Sequence, residues 1–154
     1  MKQRVVPIAV LAGALFAVNV VARLITRFGF DGDDTAQYRI TIGMFATIGV
    51  ILASVAYVRA QKSLPSEWLP SLAAAAIGGM LLTILVGPFL SGGYPFSAGA
   101  GNFFSQIWLY GGFAIVGILF GYWIATMLGR DYRSQSLKAF TAAKAGKPRR
   151  VVRR

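Results

Sequence analysis

Four apolar stretches, at about 5–25, 40–58, 69–90 and 103–128, hold a single charged residue between them, Arg23. A helix rises about 1.5 Å per residue, so crossing a hydrocarbon core of about 30 Å takes roughly 20 residues. Each stretch has that length. Lipid offers no water to satisfy backbone groups, so each should be helical. The apolar–polar alternation of a barrel strand is not seen. The expected fold is therefore all-α: an integral membrane four-helix bundle over 1–129, followed by a basic tail over 130–154.

Composition agrees with that class. Hydrophobic residues make up 56% of the chain and charged ones 14%, too apolar a balance for an ordinary soluble domain. The net charge of +11 would point to nucleic acid in a soluble protein. Here the basic residues sit at the ends of apolar runs and in the tail, so nucleic acid is not the expected partner. The chain has neither cysteine nor histidine. That excludes disulfides, Cys or His metal sites and Ser-His or Cys-His catalysis. No cofactor and no enzymatic activity are expected.

The distribution of positive charge orients the chain. Lys2, Arg4, Arg59, Lys62 and nine residues after 129 fall on one side. Arg23, Arg27 and Arg39 fall on the other, so the balance is 13 against 3. Positive loops favour the cytoplasm, which predicts both termini inside a cell membrane. Arg23 is expected to snorkel to the outer interface. The start Met1-Lys2-Gln3-Arg4 resembles a signal peptide, but its apolar run is too long and no A-x-A site follows. An uncleaved first span is expected. The bias to Arg, Ala and Gly is that of a GC-rich bacterial genome.

Small residues predict how the helices pack, because lipid-soluble helices associate through close backbone approach rather than through burial. Residues four apart share a helix face. The first span offers Ala9, Gly13 and Ala17, and the second Gly49 and Ala53. The third offers Ser71, Ala75, Gly79, Thr83 and Gly87, and the fourth Gly117, Gly121 and Ala125. The fourth set contains a G-x-x-x-G, which serves either packing within one bundle or an outward dimer seam. Packing within the bundle is the expectation. Gly87-Pro88 predicts the end of the third helix, with a broken helix lining a site as the alternative.

No Asp or Glu lies within a span, which weighs against a proton-coupled carrier. Asn19, Thr47, Ser54, Thr83 and Thr126 are expected to bond to backbone or to neighbouring helices. The acidic segment 31–34 lacks the rest of a calcium loop and reads as a solvated turn, with Asp33 or Asp34 capping the second helix. Ser66 is the expected cap of the third. The glycine-rich segment 91–106 reads as an interfacial loop. In the tail, residues 130–144 predict a short amphipathic helix on an anionic inner leaflet, followed by a disordered polybasic end. The lipid-binding residues are then Arg130, Arg133, Lys138, Lys144, Lys147, Arg149, Arg150, Arg153 and Arg154.

These features predict a non-enzymatic accessory or scaffold subunit acting through helix packing and its tail. It would sit in a homo-oligomer or a larger membrane complex. The alternative is an oligomeric small channel or carrier, with a pathway near the Gly87-Pro88 break.

Overall fold

The computed structural model describes residues 2–30, 34–90, 92–97 and 99–145, with side chains from residue 5 onward. These residues form α1 (Lys2–Gly29), α2 (Asp34–Ala60), α3 (Pro65–Leu81), a π-helical turn (Leu82–Val86), α4 (Gly87–Leu90), α5 (Gly99–Met127) and α6 (Tyr132–Ala145). Four helical segments are long and apolar enough to cross a membrane. At one end of the bundle lie the N-terminus, the 61–64 connection and α6. The other end, the far end, carries the end of α1, the start of α2, α4 and the start of α5.

The bundle is built from two parallel pairs. A Cβ placed on Gly117 would overlap the backbone of Gly49, and one on Gly121 the backbone of Ala53. Both contacts advance by four residues, so α2 and α5 run in the same direction and touch backbone to backbone. The same reasoning applies to α1 and α3: a Cβ on Gly79 would sit 3.1 Å from Leu15 Cβ, and one on Gly87 2.8 Å from Asn19 Oδ1. Phe45, Ile48, Leu52, Leu15, Leu72 and Ala76 then fill the space between the pairs. The outward faces carry Val10, Val21, Val50, Ile77, Ile115, Val116 and Leu119, all exposed. Such a surface suits lipid and is costly in water.

The third segment departs from the sequence expectation. The helix does not end at Gly87-Pro88 but continues to Leu90. Proline has no N–H and its ring collides with the carbonyl four residues back. The π turn immediately before it widens the ladder by one residue, and Gly87 N–H bonds to Leu82 O. That added width accommodates the proline without stopping the helix. The start of α3 also differs. Its N-cap is Leu64, with no side-chain cap bond, and Pro65 occupies the opening turn. Proline's fixed φ suits that position, so Ser66 lies inside the helix rather than capping it. Glu67 stands in the first turn, where the positive helix end favours it. Asp33 lies outside the described residues, and Asp34 begins α2.

Gly129 ends α5. It adopts a φ of +59°, which favours glycine. Its N–H bonds to Thr126 O at 2.9 Å, and Arg130 N–H to Ala125 O at 3.0 Å. This pair of reversed bonds satisfies the last carbonyls of α5. Asp131 then caps α6: its Oδ2 accepts from the Ser134 N–H at 3.3 Å. Hydrogen bonding from Ser134, side chain first and then backbone, holds the Asp131 carboxyl below the usual carboxylate range. A depressed folded value means the cap contributes fully above the unfolded value and is lost as pH falls through the folded one. Asp131→Ala should cost α6 about 1 kcal/mol at neutral pH and much less at acid pH. Amide hydrogen exchange over 132–137 measures it.

Candidate functional site

The spans place several polar side chains in one region, near the far end. Asn19 on α1 is almost fully buried. Its Nδ2 donates to Met44 Sδ on α2 at 3.1 Å, and its Oδ1 accepts from Arg23 Nε at 3.1 Å. Arg23 therefore does not snorkel toward the far end as the sequence predicts. It reaches back by one turn, deeper into the bundle. Two features explain this. Asn19 supplies an acceptor four residues earlier on the same helix face. Gly87 leaves room opposite: a Cβ there would lie 2.9 Å from Arg23 Nε.

Above this group a pocket of about 300 Å³ opens between α1, α2 and α5. Its polar lining is Asn19, Arg23, Thr26 and Arg27 from α1, Gln37 and Thr41 from α2, and Gln106 from α5. Arg27 is held over the same mouth by a 3.2 Å bond from Nη1 to Leu90 O. The Thr26 and Thr41 hydroxyls donate to Ala22 O and Gln37 O of their own helices. Phe45 of the pocket lining meets Tyr110 edge-on, and the Tyr110 hydroxyl, like the Thr83 hydroxyl in the π turn, is buried with no hydrogen-bond partner among the described residues. π turns are frequent at functional sites. Sequence reasoning named Asn19 and Gly87 separately but not their meeting, since it depends on how α1 is rotated against the third segment. Gln37 and Gln106 gave no signal at all.

The small-residue seams divide into two kinds. Gly49 is buried against α5, and Gly117, Gly121 and Ala125 are buried too. Ala75, Gly79, Thr83 and Gly87 are buried, with Ser71 half-buried. By contrast Ala9, Gly13 and Ala17 are all exposed. The first helix packs through Ala12, Leu15 and Asn19 instead. Gly78, Gly79 and Gly87 on the opposite segment already supply the small side of each contact, so α1 can present larger residues there.

Of the polar residues expected to bond locally, Thr47, Ser54 and Thr126 bond to carbonyls of their own helices. The described basic residues of the tail, Arg130, Arg133, Lys138 and Lys144, are exposed at the other end of the bundle. Arg130 Nη1 donates to Tyr57 OH at 3.2 Å, which ties the root of the tail to α2. Lys147, Arg149, Arg150, Arg153 and Arg154 lie outside the described residues. So do residues 31–33, and no group of three His, Cys, Asp or Glu that could hold a metal occurs among the described residues. Of segment 91–106, residues from Gly99 onward belong to α5, and Phe96 stacks on Phe103 with ring centroids 4.5 Å apart. Comparison of the chain with family models, curated proteins and solved structures finds no match.

Proposed function

We propose that this chain is a non-enzymatic subunit of a membrane complex, set in the cell membrane with both termini cytoplasmic. One observation carries the reading: Ala9, Gly13 and Ala17 form an exposed small-residue stripe on α1. In lipid, a stripe of this kind lets a second helix approach closely. The other small-residue seams are occupied inside the bundle, so this one is left for a helix of another subunit. The basic tail supports the same role. Near an anionic leaflet each Lys or Arg contributes about 1 kcal/mol, which holds α6 and the residues after it at the inner surface.

Purification from native membranes in mild detergent tests the reading. A chain with Ala9→Ile, Gly13→Ile and Ala17→Ile should keep its helical signal and its elution volume as a single chain. It should lose the subunits that accompany the wild type. Equal recovery of those subunits from both chains would end this reading.

The carrier reading draws on a separate observation. The hydroxyls of Thr83 and Tyr110, buried without a partner among the described residues, add polar groups to the interior of the bundle. A wild-type chain that purifies alone as a homo-oligomer and passes solute in liposomes would favour it.

A further inference from the structure

At the end of the bundle that carries the 61–64 connection, a cavity of about 980 Å³ opens between α1, the last turn of α2 and the first turns of α3. Arg59 and Lys62 line it together with Glu67. Among the described residues no ion pair joins either cation to that carboxylate. Opposite charges thus share one cavity and stand apart. We propose that this cavity holds the head group of a phospholipid whose amine is primary. Arg59 and Lys62 take its phosphate, and Glu67 takes its ammonium.

The phosphate side is partly built in advance. Arg59 Nη1 donates to Ser71 Oγ at 2.7 Å, and Ser71 Oγ donates on to Trp68 O at 2.8 Å. The first bond uses one of five guanidinium donors. An Arg59 already held in place lowers the cost of binding. Lys62 is exposed at the connection and adds a second charge on a flexible stem. Ser63 and Ser66 belong to the same lining, and their hydroxyls can donate to phosphate or accept from ammonium.

The amine is argued from Glu67. A phosphate alone would meet a carboxylate of its own sign in the site, whereas a zwitterion uses all three charges. A primary ammonium offers three N–H donors to Glu67 and the hydroxyls. A quaternary ammonium offers none and is held by cages of aromatic faces. Trp68 is the single aromatic residue among the described ones in this lining, and it is buried.

Depth argues for a lipid. Pro7 and Ile8 of α1 and Pro70 of α3 supply apolar lining. They lie within two turns of Val5 and Pro65, where two of the four span-length segments begin. Head groups meet acyl chains at that depth. Val6 and Leu69, their sequence neighbours, are exposed apolar residues that suit the upper acyl chains. The volume stands near the top of the usual range for ligand sites, enough for a head group with its glycerol.

The test reconstitutes the full chain in nanodiscs with equal parts of phosphatidylethanolamine, phosphatidylcholine and phosphatidylglycerol of one acyl composition. Lipid that stays with the chain after detergent extraction is counted by mass spectrometry. The wild type should retain phosphatidylethanolamine over phosphatidylcholine by about ten-fold, the effect of one charge-assisted hydrogen bond. These two lipids differ only at the amine. Glu67→Gln, at an exposed position, should fold normally and bring that ratio close to unity. Lys62→Gln, also exposed, should weaken retention of both lipids alike and leave the ratio unchanged. Helical circular dichroism checks the fold of both variants.

Equal retention of the three lipids by the wild type overturns the proposal, and so does a preference for phosphatidylglycerol. An unchanged ratio in Glu67→Gln overturns it as well. Soluble phosphoethanolamine should raise the thermal midpoint of the chain only weakly. If it binds as tightly as the lipid, the apolar lining adds nothing, and a lipid is not the ligand.

Discussion

Gly117→Ile combined with Gly121→Ile is expected to abolish the folded bundle. Each new side chain would start inside the backbone of α2, at Gly49 and at Ala53. Backbone cannot rotate aside as a flexible side chain can. Overpacking a well-packed site costs about 1–3 kcal/mol, and contacts with backbone belong at or above the top of that range. Together the two changes remove about 5 kcal/mol or more, comparable with the whole stability of an ordinary domain. Titration with sodium dodecyl sulfate, read by circular dichroism, should find no cooperative transition. Gly111→Ala and Gly112→Ala lie on the same helix, where an added Cβ meets nothing within 4 Å. They should be neutral or slightly stabilising, since alanine favours helix over glycine by up to about 1 kcal/mol. A double variant that unfolds at the wild-type detergent concentration would refute this account of the α2–α5 contact.

The second large effect belongs to the other pair. Gly79→Ala should destabilise by about 2 kcal/mol, because its Cβ would meet the Tyr110 hydroxyl at 2.7 Å and Leu15 Cβ at 3.1 Å. The first of those contacts can be removed. The Tyr110 hydroxyl is buried without a partner among the described residues, so Tyr110→Phe should be close to neutral by itself. In combination it should recover about 1 kcal/mol of the loss, and Leu15 accounts for the remainder. Strict additivity in this double-mutant cycle would place the hydroxyl elsewhere. Gly78→Ala is the matching control, since its Cβ comes no closer than 3.4 Å to Ala12.

The helical segments were legible in the sequence because length and the absence of charge are one-dimensional properties. The α5 seam was legible too, since Gly117 and Gly121 fall on one face by spacing alone. Its partner was not. Nothing in the spacing of Gly49 and Ala53 distinguishes α5 from α3 as the helix they meet. Spacing also could not tell the filled seams from the open one. Ala9, Gly13 and Ala17 have the same period as Gly117, Gly121 and Ala125, yet they face outward. A close helix crossing needs small residues on only one of its two sides, and on the α1–α3 contact Gly78, Gly79 and Gly87 provide them. The far-end pocket was the least legible feature. Arg23 turns inward because of Gly87, which is remote in sequence, and Gln106 joins the pocket only once α5 has packed on α2.

The parallel pairing of α2 with α5 also sets an order of events during synthesis. Helix α2 is complete long before its main partner exists, since α3 and the 91–98 segment must come first. At about 5–20 residues per second, Gly49 and Ala53 stay uncovered for several seconds. A chain interrupted before Gly117 keeps that backbone groove open permanently. Helix α5 is therefore also the closing piece of the bundle, and an unfilled groove on α2 distinguishes a chain that lacks α5 from one that has it.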